Sequence, residues 1–141
     1  MPADGGEAIQ LTWEGGYAPL ESPDGKFLYY TKQLWRTNLW KLPVGGGQTT
    51  KVLEGLSSYL NLAIVDKGIY FIPLPGPALV PSIQFLDLPT NHIKQIASFE
   101  RPVGSDDFGA GLPISPDGRW ILYTNTQADQ GAELRLVENF R

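Results

Sequence analysis

Two serine–aspartate pairs are the residues whose types and spacing could most simply do chemistry. Ser22 and Asp24 stand in the phrase SPDGKFLYY, and Ser115 and Asp117 stand in the nearly identical phrase SPDGRWILYT. A nucleophilic serine needs an adjacent base, and the one histidine, His92, can serve at most one of two such sites. The G-x-S-x-G elbow of serine hydrolases does not occur in the sequence. The duplicated phrase therefore indicates structure rather than catalysis.

The composition of the phrase predicts a tight turn. Proline has its φ already set for the second position, aspartate tolerates the third, and glycine takes a positive φ cheaply. Such a turn would join two strands as a hairpin. The middle of the chain has Val65-Asp66-Lys67-Gly68 instead. A turn survives that change, whereas a triplicated catalytic site would not.

Two further groups are candidates for binding. Asp106 and Asp107 lie in the segment RPVGSDDFGAG (101–111), and paired carboxylates could hold Ca²⁺. The EF-hand pattern is absent, and most acidic residues in loops are simply solvated. Trp35 and Arg36 are predicted in or beside a loop and are of the types enriched at binding hot spots, although Trp35 could instead pack under its own loop. The residues expected on a ligand-binding loop face are Trp35, Arg36, Tyr59, Asp106, Asp107 and Phe108.

Composition excludes several classes of function. The net charge is −4, and no lysine–arginine cluster occurs, which argues against a nucleic-acid partner. The chain contains no cysteine and therefore no disulfide, thiol nucleophile or thiolate metal site. The opening MPADGGEAIQLT has no signal-peptide character, and no apolar run reaches the ~20 residues of a membrane span. We expect a soluble chain, cytoplasmic by default, with no cofactor, no bound metal and no membrane partner.

Three repeated units must position these residues. Gly25, Gly68 and Gly118 each precede a strongly apolar segment, namely KFLYYT, IYFIP and RWILYT. A shorter apolar segment precedes each glycine. In the first two units, two more apolar segments follow the strongly apolar one, which gives four segments per unit. A period of 40 to 50 residues with four short strands is typical of a β-propeller blade. The short first strands would line the ring axis with Ala18, Leu20, Leu62, Ile64, Leu112 and Ile114.

The sequence therefore predicts an all-β propeller with three four-stranded blades in one chain. Blade 1 covers 17–54, blade 2 covers 59–100, and blade 3 covers 111–141 without its fourth strand. The segment 8–14, AIQLTWE, is similar in composition to the fourth segments of the first two units. It is predicted to be a closing outer strand.

This pattern resembles the TolB-type, WD-repeat-like repeat of six-bladed β-propellers. The stretch WEGGYAPLESPDGKFLYY (13–30) and the final LVENFR (136–141) are similar to large bacterial propeller proteins, some of which carry a winged-helix regulator domain. The resemblance covers essentially the whole chain and implies the C-terminal three-blade half of a propeller. It also implies a binding platform rather than an enzyme. The middle unit departs from the repeat because it lacks S-P-D-G.

Three blades of a six-bladed ring would leave two apolar faces bare, and soluble monomers rarely expose such patches. We therefore predict a homodimer that closes one six-bladed ring with two-fold symmetry. The strand 8–14 would complete the partner's third blade beside AELRLVEN (132–139). A rearranged monomer and association with a different propeller half are the alternatives.

The function predicted from the sequence is a non-catalytic binding or scaffold module that engages a protein or a small molecule through its loop face. One alternative is a Ca²⁺-dependent propeller hydrolase that uses Glu21 and Asn61 at the ends of first strands. Another is the sensor portion of a larger bacterial regulator. A chain with no activity of its own is not separated from the first hypothesis by the sequence.

Overall fold

Ten β-strands make up the regular structure of the chain. The structure, a computed structural model, describes residues 5–74, 76, 82–99, 111–127 and 131–138. No helix occurs among these residues, and hence none that is long and apolar enough to cross a membrane. The strands are β1 (Tyr17–Glu21), β2 (Phe27–Thr31), β3 (Trp35–Pro43), β4 (Thr50–Ser58), β5 (Leu62–Val65), β6 (Gly68–Phe71), β7 (Ser82–Asp87), β8 (His92–Ser98), β9 (Trp120–Gln127) and β10 (Gly131–Glu138).

The strands form three antiparallel sheets in which neighbours in sequence are neighbours in space. The first sheet has the order β1-β2-β3-β4, and the second repeats it with β5-β6-β7-β8. The third sheet pairs β9 with β10, and an isolated bridge joins Ile114 to Ile121. Ile114 thus stands beside β9 as β1 stands beside β2. This arrangement confirms the predicted all-β class and the four-stranded unit.

Two apolar clusters hold the sheets together, each between neighbouring sheets. In the first cluster, Tyr29 and Leu56 of the first sheet pack with Ile69 and Phe71 of the second, and Ile69 and Leu56 are fully buried. The second cluster joins the second and third sheets through Ile72, Ile83, Phe99, Leu112 and Ile121. The inner part of the middle sheet is therefore covered on both faces, which explains why β5 and β6 are apolar at successive positions.

The glycine of the middle unit has a different role from the other two. Gly25 and Gly118 have φ of 71° and 65°, as a turn of this type requires. Gly68 has no positive φ. It is the first residue of β6 and pairs with Val65, so Asp66 and Lys67 alone make the turn. This shorter hairpin does not need a residue with a positive φ at Gly68. The middle unit can therefore form its turn without the S-P-D-G sequence.

Candidate functional site

The two serine–aspartate pairs are structural. The Ser22 hydroxyl donates to Oδ1 of Asp24 at 2.6 Å and accepts a hydrogen bond from the Phe27 backbone N–H at 2.9 Å. The Ser115 hydroxyl makes the same two bonds, to Oδ1 of Asp117 at 2.6 Å and from the Trp120 N–H at 3.0 Å. A hydroxyl with both functions occupied inside a turn has no base beside it to activate it. The prediction of a turn is confirmed at both positions.

These hydrogen bonds lower the pKa of both aspartates. The serine hydroxyl is the main cause in each turn, and a backbone N–H adds to it. A lowered pKa means that the turn contributes stability above the unfolded-state pKa of about 3.9 and loses it as the pH falls through the folded-state value. We expect the pKa of Asp24 to rise in Ser22→Ala, measured by NMR titration of the side-chain carboxyl carbon. Asp117 is the internal control, and an unchanged Asp24 titration would contradict the assigned cause.

The loop face is the end of the sheets where the β2–β3 and β4–β5 connections lie. At this end the Tyr59 backbone N–H donates to the Leu34 carbonyl at 2.9 Å, so the two connections of the first sheet are joined. The hydroxyl of Thr31 donates to the Gln33 carbonyl at 2.9 Å and closes the shorter connection on itself. The backbone that presents the candidate side chains is therefore fixed by hydrogen bonds.

Trp35 and Tyr59 lie side by side on this face. Their rings meet edge to face at 6.3 Å, with an interplanar angle of 76°, which is a favourable geometry for an aromatic pair. Trp35 is 39% exposed and Leu34 beside it is 38% exposed. We call Leu34, Trp35, Arg36 and Tyr59 the aromatic patch.

Trp35 and Arg36 lie within β3 rather than in the preceding loop. Trp35 pairs with Ser58 across the ladder, so the strand begins earlier than the sequence predicts. Arg36 has φ of 48°, a region that non-glycine residues seldom occupy. Its side chain is exposed, and among the described residues the guanidinium makes no hydrogen bond or ion pair. The arginine is thus available to a ligand.

A second hydrogen-bond network lies next to the aromatic patch, because it includes Ser57, the neighbour of the Trp35 ladder partner Ser58. The buried amide of Asn61 donates to the Ser57 hydroxyl at 2.9 Å, and Ser57 donates to the Ile72 carbonyl at 3.1 Å. The Ile72 N–H returns a bond to the Asn61 carbonyl at 3.0 Å. These bonds connect the end of the first sheet to the second sheet. Asn61 is therefore a structural residue.

The geometry does not bring together the residues of the calcium alternative. Glu21 is the last residue of β1, whereas Asn61 directly precedes β5, so they lie at opposite ends of first strands. No group of three potential metal ligands occurs in the part of the chain that the structure describes. The other predicted face residues, Asp106, Asp107 and Phe108, lie outside the described residues.

The six residues predicted to line a ring axis are distributed unevenly. Leu62 and Leu112 are buried in the clusters between sheets, with Ile64 and Ile114 packed partly against them. Ala18, which has φ of 48°, is half-buried, and Leu20 is exposed. The lining of a ring axis by these residues stays a prediction.

The outer face of the third sheet is apolar and uncovered in the single chain. Leu122 and Leu136 are direct cross-strand partners, and Leu134 lies on the same face. They are 38%, 52% and 78% exposed, in that order. On the opposite face, Ile121 and Val137 pack into the second cluster. We call Leu122, Leu134 and Leu136 the seam face.

Comparisons with solved structures agree with this architecture. TolB from Agrobacterium tumefaciens aligns with 84% of this chain at 21% identity and a TM-score of 0.62. TolB from Acinetobacter baumannii aligns with 86% at 20% identity and a TM-score of 0.64. The tricorn protease aligns with 89% at 16% identity and a TM-score of 0.55. No family model matches the chain, and a search of curated proteins finds no significant match.

The three stacked antiparallel sheets therefore have a β-propeller fold. The propeller is TolB-like, as the sequence resemblance implied. The chain spans 40% and 29% of the length of the two TolB structures and 12% of the tricorn protease chain.

Proposed function

We propose that the chain is a non-catalytic binding module, built as half of a TolB-like propeller, that pairs with a second copy of itself to form a six-bladed ring. The fold also occurs in a protease, and the side chains, rather than the fold, favour a non-catalytic role. The hydroxyls of Ser22 and Ser115 are hydrogen-bonded within their turns, and the amide of Asn61 is hydrogen-bonded to Ser57. The aromatic patch, in contrast, offers ring surface and an arginine on fixed backbone, as binding hot spots do.

The exposed leucines of the seam face are the main support for the proposed assembly. The β9–β10 sheet has apolar side chains on both faces, although only one face packs against the second sheet. Sheets that are apolar on both sides are normally covered on both sides. A second copy, placed so that its first sheet covers this face, would remove the exposed leucines from water.

The segment 8–14 supplies a strand for the edge of this sheet. Within the described residues β10 pairs only with β9, so its other edge is open, and 8–14 is irregular in the single chain. Ile9, Leu11 and Trp13 alternate with polar residues, so an extended 8–14 would present all three on one face. Ile9 and Trp13 are 80% and 78% exposed. The proposed ring has this segment paired beside the partner's β10.

Molar mass in solution tests the assembly. Size-exclusion chromatography with light scattering should give the mass of two 15.5 kDa chains for the whole chain, and a single-chain mass or precipitation after removal of residues 1–14. A Gln10→Ser variant, which changes the opposite face of the same segment, should keep the dimer mass. A whole chain that is monomeric at micromolar concentration would overturn the proposed ring.

A further inference from the structure

A cavity opens between the first and second sheets at the end opposite the aromatic patch. It has a volume of about 410 Å³ and lies beside the β1–β2 and β5–β6 turns. Small-molecule sites in proteins have volumes of about 300 to 1,000 Å³. The site lies wholly within one chain and does not depend on the proposed ring.

Tyr29 brings an unpaired hydroxyl to this cavity. The side chain lines the cavity and is only 3% exposed, and among the described residues nothing hydrogen-bonds to its hydroxyl. A buried hydroxyl without a partner is costly, and such groups in native proteins are almost always satisfied. Burial and the charge of Asp24 raise the pKa of Tyr29, so at neutral pH the hydroxyl is a hydrogen-bond donor.

Lys41 lies directly beside this tyrosine. The two residues are partners in the β2–β3 ladder, so their Cβ atoms lie about 5 Å apart on one face of the sheet. Lys41 also lines the cavity, with Nζ 4.8 Å from the centre of the Phe27 ring. In the described part of the chain no carboxylate lies within 4.0 Å of this ammonium group. A cation and a hydroxyl donor therefore share one wall.

The remaining lining selects among possible anions. Phe27, Ile64 and Leu88 supply apolar surface. Two carboxylates, Asp24 and Asp66, also line the cavity, and Asp24 is already bound by the Ser22 hydroxyl and, at 3.3 Å, by Lys26. Lys26 offsets the charge of Asp24, and Asp66 is exposed to solvent, which screens its repulsion. Lys41 then offers one positive charge, which matches a monoanion, whereas a dianion such as a phosphate ester would keep an uncompensated charge beside Asp66.

We propose that this cavity binds a small monocarboxylate with an apolar chain. Lys41 and the Tyr29 hydroxyl would hold the carboxylate, and the chain would lie against Phe27, Ile64 and Leu88. The ligand would pair with the Tyr29 hydroxyl, which has no hydrogen-bond partner among the described residues.

Calorimetric titration with hexanoate tests the proposal. Hexanoate should bind saturably to the whole chain in the millimolar range or tighter, whereas hexanamide and hexylamine should not. Lys41→Met and Tyr29→Phe should each weaken binding by about tenfold, because each removes a hydrogen bond to a charged group. Tyr29→Phe removes only an unpaired hydroxyl and should fold at least as stably as the parent.

Two matched variants serve as controls. Tyr30→Phe changes the neighbouring tyrosine, whose hydroxyl is near that of Thr49, and Lys51→Met changes a strand lysine that pairs with Glu54 at 2.6 Å. Both should bind hexanoate like the parent. The proposal is overturned if hexanoate fails to bind at about 10 mM, if hexylamine binds better, or if both Tyr29→Phe and Lys41→Met bind hexanoate unchanged.

Discussion

Alanine at position 68 should destabilise the chain by about 3 kcal/mol or more, among the larger effects of a single added methyl group. Gly68 begins β6, and a Cβ atom there would overlap the Leu86 carbonyl oxygen and the ring of Phe85. Neither neighbour can move freely, because Leu86 belongs to the β6–β7 ladder and is buried in the first cluster. Urea unfolding followed by tryptophan fluorescence measures the loss as a lower midpoint.

Gly45 provides the matched control for this substitution. A Cβ atom at Gly45 would meet nothing within 4 Å, and the residue has no positive φ. Gly45→Ala should therefore change the free energy of unfolding by no more than about 0.5 kcal/mol. Equal midpoints for Gly68→Ala and the parent would contradict the close approach of β6 to Phe85.

A charge on the seam face should separate the proposed dimer. Leu136→Glu places a carboxylate on the face that the partner would cover, and an unpaired buried charge costs several kcal/mol. We expect the dimer dissociation constant to rise by about a hundredfold or more. The variant should still fold as a single chain, because Leu136 is already half-exposed there. Light scattering over a dilution series gives the dissociation constant, and circular dichroism checks the fold.

Ile93→Glu is the control on a different sheet. Ile93 lies on β8 and is 46% exposed, close to the exposure of Leu136, but it is outside the seam face. The variant should keep the parental dissociation constant. Dissociation by Ile93→Glu with an intact Leu136→Glu dimer would show that the copies meet through the second sheet instead.

The sequence was sufficient for the parts of the fold that local chemistry determines. The sequence Ser-Pro-Asp-Gly specifies a turn from its own residues alone. The turns that begin at Ser22 and Ser115 therefore have the same serine–aspartate hydrogen bond. The role of Gly68 could not be read in this way, because the ring that excludes its Cβ atom comes from Phe85 on a neighbouring strand.

The candidate sites were predictable only in part. The sequence predicts Trp35 and Tyr59 on one loop face, which stays a prediction as a binding site, and their rings lie 6.3 Å apart, edge to face, in the structure. The sequence does not indicate the start of β3 at Trp35, because the ladder with β4 extends beyond the apolar part of the strand. The sequence does not reveal the cavity, because FLYYT (27–31) has the composition of an ordinary buried strand. Tyr29 belongs to the first cluster, and only its pairing with Lys41 across two strands places a cation beside its ring.

The order of the strands also bears on how the chain folds. Every four-stranded sheet is an unbroken meander, so its hydrogen-bonded partners come from consecutive strands. Among the described residues, the two apolar clusters and the hydrogen bonds of Ser57 and Gly55 to the residues after β6 connect one sheet to the next. Chains with such local pairing close short loops first and behave as a one-dimensional array of coupled units. The second sheet, which has neighbours on both sides, is the unit through which the stability of the first and third sheets is coupled.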